Sequence, residues 1–156
     1  MVLFLCSCAG SASKDELQKA NYHYQIGVSY LNDNNIQPAF VEFQKALKLN
    51  PYDKEIHNAL GILYLVKLEN YPKAVYHFKE SLDIDKTFSE ASNNLGNAYA
   101  NMGKFPEAIE SYKKAISNPQ YKNAAMALHT LGMVYYRLTR YDEALDAFKE
   151  ALKRFS

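Results

Sequence analysis

Residues 94–116 read NLGNAYANMGKFPEAIESYKKAI, and a few small and aromatic residues in this stretch decide the fold. Gly96 is followed by Tyr99 three positions on, then by Ala108, then by Tyr112 four beyond that alanine. The same arrangement recurs at Gly27 (Tyr30, Ala39, Phe43), Gly61 (Tyr64, Ala74, Phe78) and Gly132 (Tyr135, Ala144, Phe148). Successive glycines stand 34, 35 and 36 residues apart, and each alanine follows its glycine by twelve or thirteen. A period of this length predicts stacked helix–turn–helix units before any other architecture is considered.

Each copy carries apolar residues at helical spacing on two helices. In the first copy these are Ile26, Tyr30 and Leu31, then Phe40, Phe43, Ala46 and Leu47. A glycine inside a helix costs roughly 1 kcal/mol against alanine, so four in register require a packing reason. The expectation is close approach of paired helices at the glycines and at Ala39, Ala74, Ala108 and Ala144, with the aromatic rings filling the gaps. Asn32-Asp33-Asn34-Asn35 and Leu68-Glu69-Asn70 separate paired helices, and Gly103 reads as a helix stop. Pro38, Pro72 and Pro106 fall in the first turn of a second helix, where a missing N–H is tolerated. Helices are expected near 16–32, 37–49, 54–68, 72–84, 88–102, 105–117, 122–138 and 141–155. The chain reads as a short leader, 1–14, and one repeat domain, 15–156, with repeats at about 20–53, 54–88, 89–124 and 125–156.

These residues resemble the tetratricopeptide (TPR) repeat, with its Leu-Gly, Tyr, Ala and aromatic positions, from about Ala20 to Ser156. The resemblance implies an all-α, right-handed superhelical solenoid of four antiparallel helix pairs. It also implies that the first helices line a concave groove which binds a protein or an extended peptide. By that resemblance the groove residues are Asn21, Tyr24 and Val28, then Asn58, Ile62 and Leu65, then Asn93, Asn97 and Asn101. The fourth repeat adds His129, Met133, Tyr136 and Arg137. Asn93, Asn97 and Asn101 stand at i, i+4 and i+8 and form an amide ladder along one helix face. An amide offers a donor and an acceptor, which suits a peptide backbone, and the apolar and aromatic flanks would select side chains. TPR proteins that grip a chaperone's C-terminal carboxylate use a clamp of Lys, Asn and Arg. Here the corresponding positions hold Tyr24, Val28, Ala59, Glu90 and Asn94, or one repeat later Asn58, Ile62, Asn94, Met126 and Thr130, so neither frame supplies the clamp.

The chain opens apolar, Met1 to Cys8, followed by a small polar stretch. Leu5-Cys6-Ser7-Cys8 resembles a bacterial lipobox, which implies lipidation of Cys8 and anchoring at the outer membrane facing the periplasm. The alternative is the frayed N-terminus of a cytosolic protein, since no Lys or Arg precedes Lys14. Both cysteines lie in this segment. A short TPR array behind such a motif, with Asn118-Pro119-Gln120-Tyr121 before Asn123-Ala124-Ala125, resembles the type IV pilus assembly lipoproteins, or pilotins. That resemblance implies a scaffold that helps a secretin ring assemble. At the other end, Leu145, Phe148 and Leu152 are expected to have a partly open flank, met by a continuing chain, a partner or a second copy, with continuation favoured.

Catalytic chemistry has no support in the residues. His23 and His57 occupy equivalent positions four before a glycine and read as packing residues, and no histidines pair at i, i+3 or i, i+4. No Gly-rich phosphate loop is present, and the expectation is a protein that is not an enzyme and has no cofactor or metal. The net charge of +1, without a Lys/Arg cluster, argues against nucleic acid. Three classes compete: an envelope scaffold, a cytosolic adaptor for a peptide segment, and a regulatory domain of a larger enzyme.

Overall fold

The computed structural model describes residues 12–155 of the chain, and the lipobox expectation on Cys8 lies outside them. Among the described residues the fold is all-α, with eight α-helices and no strand. The helices are α1 (Lys14–Asn32), α2 (Ile36–Leu49), α3 (Lys54–Ile62), α4 (Tyr71–Ile84), α5 (Ser89–Asn101), α6 (Phe105–Ile116), α7 (Ala124–Arg137) and α8 (Tyr141–Phe155). A π-helical stretch, Leu63–Lys67, extends α3. Two compact units divide the chain, one ending at Pro51 and one starting at Tyr52. The first unit holds the pair α1–α2; the second holds α3–α4, α5–α6 and α7–α8.

Local chemistry explains where helices start. Ser13 and Glu16 form a reciprocal capping box on α1, with each residue's backbone N–H bonded to the other's side chain. Asp53 caps α3 by accepting from the N–H groups of Glu55 and Ile56, and Asn70 caps α4 through the N–H of Lys73. Pro72 and Pro106 stand in the first turns of α4 and α6. The stops are equally regular. Asn34, Glu69, Gly103 and Thr139 all adopt positive φ in the turn between paired helices. The N–H of the next residue (Asn35, Asn70, Lys104, Arg140) then bonds back to the carbonyl of Tyr30, Tyr64, Tyr99 or Tyr135.

The glycines have a more specific role than helix approach. A Cβ placed on Gly27 would lie 2.6 Å from the Phe43 ring, on Gly96 2.7 Å from the Tyr112 ring, and on Gly132 2.5 Å from the Phe148 ring. At Gly61 the Phe78 ring comes closer still. Each glycine is therefore the floor on which the aromatic of its partner helix lies. Phe43, Phe78 and Tyr112 are fully buried there, beside Ala39, Ala74 and Ala108.

The thirteen-residue interval has a physical form. It separates Gly61 from Ala74, one residue longer than in the other three copies. That extra residue is taken up by the π-helical stretch, where Leu68 N–H reaches Leu63 and Asn70 N–H reaches Tyr64, six residues back instead of five. The last glycine interval, 36, is longer at the α6–α7 junction. There Asn118 accepts from Gln120 N–H and donates to Ser89, and Tyr121 is buried against Ala115, Ala124 and Ala127.

Candidate functional site: a cleft among α5, α6 and α7

Within the second unit, α5, α6 and α7 enclose a cleft of about 280 Å³. Asn97, Ala100 and Asn101 form the α5 wall, Phe105 and Tyr112 the α6 floor, and Thr130, Met133, Val134 and Arg137 the α7 wall. The repeat pitch sets this geometry, because residues four apart on α5 and on α7 fall on one helix face.

Two amides in the cleft are already oriented by the protein. The Tyr112 hydroxyl donates to Asn97 Oδ1 over 2.8 Å, and Asn101 Nδ2 donates to the Asn97 carbonyl over 2.8 Å. Burial pushes the Tyr112 phenol well above its ordinary value, so it stays protonated and donates at any physiological pH. Asn97 consequently keeps its NH₂ for a ligand, and Asn101 keeps its carbonyl oxygen. One donor and one acceptor side by side match the alternating groups of an extended backbone. Arg137, exposed in the last turn of α7, makes no ion pair among the described residues. It adds one uncompensated cation to the cleft wall. Met133 supplies a deformable apolar surface beside it.

The structure brings Asn97, Asn101, Met133 and Arg137 together in this cleft. It gives other expected residues different surroundings. Asn58 accepts from Asn94 Nδ2 over 3.1 Å, so its oxygen braces α3 against α5 and is not an open rung of the ladder. Asn93 is half-buried on α5 and does not line the cleft. Leu65 is buried, which corrects its expected place on an open wall. It lies inside the π-helical stretch, where the extra residue rotates the register and turns Val66 to solvent instead. Ile62 is half-buried just before that stretch. His129 is exposed with its ring 5.5 Å from Phe148, and Tyr136 meets Tyr141 edge-on at 5.5 Å. In the first unit, Asn21 is exposed, Val28 half-buried, and Tyr24 packs on Phe43.

Phe105, Thr130 and Tyr112 were not among the expected residues. The sequence did carry a signal for Tyr112: its counterparts are Phe43, Phe78 and Phe148, so the third copy alone adds a hydroxyl. The same copy alone has an amide, Asn97, where the others have Val28, Ile62 and Met133.

Four stretches of the chain match family models for the tetratricopeptide repeat: residues 20–53, 42–76, 65–103 and 88–156. The chain belongs to the tetratricopeptide-repeat family. Repeats of this family make a TPR protein a scaffold for protein–protein interaction. Among curated proteins, this TPR chain is 28% identical over 109 residues to the type IV pilus assembly protein PilF of Pseudomonas aeruginosa, covering 69% of the chain and 42% of that protein. It thus spans less than half of that relative. The solved structure of P. aeruginosa pilF superposes with a TM-score of 0.83 at 22% identity, over 90% of this chain and 63% of that one. The crystal structure of MamA gives 0.79 at 24% identity, over 86% and 77%. Both likenesses establish the TPR fold.

Apart from this cleft, the described residues hold no group of three or more His, Cys, Asp or Glu able to hold a metal ion. No described helix is long and apolar enough to cross a membrane.

Proposed function

We propose that this TPR protein is a bacterial-envelope scaffold that assists assembly of a type IV pilus or its secretin. In this reading a lipid on Cys8 holds it at the outer membrane facing the periplasm, and the α5–α7 cleft takes an extended segment of the partner. The relationship to PilF carries the proposal, because it extends over most of the chain and not over one repeat. The junction Asn118-Pro119-Gln120-Tyr121, tied down by Asn118 and Tyr121, supports the same reading. Amides at Asn97 and Asn101 are suited to backbone contacts, and Arg137 to an acidic group. Catalysis has no part in it: the cleft offers amides, a hydroxyl and a guanidinium, with no nucleophile–base pair.

A second reading, a cytosolic adaptor for a peptide segment, is favoured by the cleft alone, which needs no membrane. The two separate on intact-mass analysis of the protein expressed from its native gene in a bacterial host. A diacyl- or triacyl-modified species beginning at Cys8 is the expected result; an unmodified chain retaining Met1 overturns the anchor. The partner is checked by secretin multimer formation in cells carrying Asn97→Ala with Asn93→Ala. Loss of multimers with normal protein levels is expected, and normal multimers would exclude this cleft from the role.

A further inference from the structure

The second helix of each pair in the second unit carries the same apolar triplet. It is Val75, Phe78 and Leu82 on α4, Ile109, Tyr112 and Ile116 on α6, and Leu145, Phe148 and Leu152 on α8. On α6 this face is covered by α7. Ile109 and Tyr112 lie in one cluster with Leu131, Val134 and Tyr135, while Ala115 and Ile116 lie with Ala124 and Ala127. The end of α6 therefore meets the start of α7, and the two run antiparallel. On α8 the face is open: Leu145 is 51% exposed where Ile109 is 8%, and Leu152 is 68% exposed. An exposed apolar face of this kind marks an interaction surface.

The first helix of the chain carries the other half of that contact. Moving back 105 residues (132 − 27), the α7 residues Ala127, Leu131 and Tyr135 correspond to Tyr22, Ile26 and Tyr30 on α1. Leu131 and Tyr135 are buried, whereas Tyr22 is 64% and Tyr30 37% exposed, with Ile26 half-buried. Charge matches as well. An antiparallel contact would set the end of α8, with Lys153 and Arg154, beside the start of α1, with Asp15 and Glu16. The two cations share the single carboxylate Glu150, and Lys19 answers only Asp15, so each end keeps one charge of opposite sign.

We propose that α8 of one molecule docks on α1 of a second copy, head to tail, so that the repeat register continues from one chain into the next. The occupant is a second copy because this one sequence supplies both the apolar register and the complementary charges. Such a contact is heterologous: each molecule keeps one unused end, and assembly proceeds as an open chain. One helix face is a small interface, so association falls in the micromolar range or weaker.

The test is sedimentation velocity on the full chain carrying Cys8→Ser, under reducing conditions, from about 1 μM to about 1 mM, the range such small interfaces require. The sedimentation coefficient is expected to rise with concentration. Leu145→Glu alone and Tyr22→Glu alone are each expected to remain monomeric, with unchanged circular dichroism because both side chains face solvent. An equimolar mixture of the two is expected to form a dimer and nothing larger, since each retains the end that the other lacks. A wild-type chain that stays monomeric throughout overturns the proposal. So does self-association surviving either variant, or a mixture that remains monomeric.

Discussion

At the scale of single residues, the molecule turns on a glycine and the ring that lies on it. Alanine is the better helix former by roughly 1 kcal/mol, and on propensity alone Gly61→Ala should stabilise α3. The Phe78 ring decides otherwise. Phe78 is fully buried, and a Cβ at position 61 would overlap its edge, so ring and helix would have to separate. Overpacking of this kind costs about 1–3 kcal/mol, which outweighs the propensity gain. Gly61→Ala is therefore expected to lower stability by about 1–2 kcal/mol net, read as a lower urea midpoint at unchanged slope. A midpoint equal to or above the wild type would show that the ring yields freely.

At the scale of elements, one register position joins the helices of every pair and changes its chemistry from copy to copy. His23 on α1 bonds to Glu42 on α2 over 2.6 Å, and His57 on α3 contacts His77 on α4 over 3.2 Å. The third copy has Ser92 and Ser111 there, both buried, and the fourth has Leu128 and Ala147. The histidine contact couples folding to pH. Burial, reinforced by His57 and Lys73, pushes His77 down from 6.5 to about 4. Tyr64 stacks on the ring and Tyr76 meets its edge, so no carboxylate stands among these contacts. A depressed histidine means that the unfolded chain takes up the proton first. Stability from this group is full above about pH 6.5 and is lost as pH falls toward about 4. Asp85, held down to about 2 by Lys54 and Thr87, loses its contribution only below about pH 3.8. Denaturant midpoints between pH 7 and pH 4.5 thus isolate the histidine. The wild type is expected to weaken across that window, and His77→Gln to weaken less; equal slopes would remove His77 as the cause.

The same scale shows what the sequence made legible. Helix boundaries lie within about two residues of those expected, because glycine, proline, asparagine and the aromatic period mark both ends of every helix. Leu65 was misplaced because counting forward from Gly61 assumes an unbroken α-helical register. The thirteenth residue before Ala74 breaks that register, and it is visible in the sequence once spacing is read as geometry. The partners of Asn58 and Asn97 were not legible in the same way. Asn58 bonds to Asn94, 36 residues on, and Asn97 to Tyr112, 15 residues on. A one-helix pattern shows which face an amide occupies but not whether a neighbouring helix has already used its oxygen.

At the scale of the whole molecule, charge decides how a partner is met. Eighteen basic and seventeen acidic side chains leave a net charge of +1, so long-range attraction contributes little to encounter. Electrostatic selectivity must then come from local charge, and the cleft holds one unpaired cation, Arg137, beside Asn97 and Asn101. An exposed guanidinium bonded to a carboxylate contributes on the order of 1 kcal/mol, about fivefold in affinity. Arg137→Ala is accordingly expected to weaken peptides with an acidic side chain by about fivefold and to leave their neutral counterparts unchanged. Fluorescence anisotropy with paired peptides differing only by Asp or Asn reads the difference directly. The wild type should lose its preference for the acidic peptide as salt rises, since the group is open to solvent and its field is screened. The Arg137→Ala protein should show no preference at any salt. If both proteins discriminate equally, the selecting charge lies elsewhere, and the cleft recognises backbone through its amides alone.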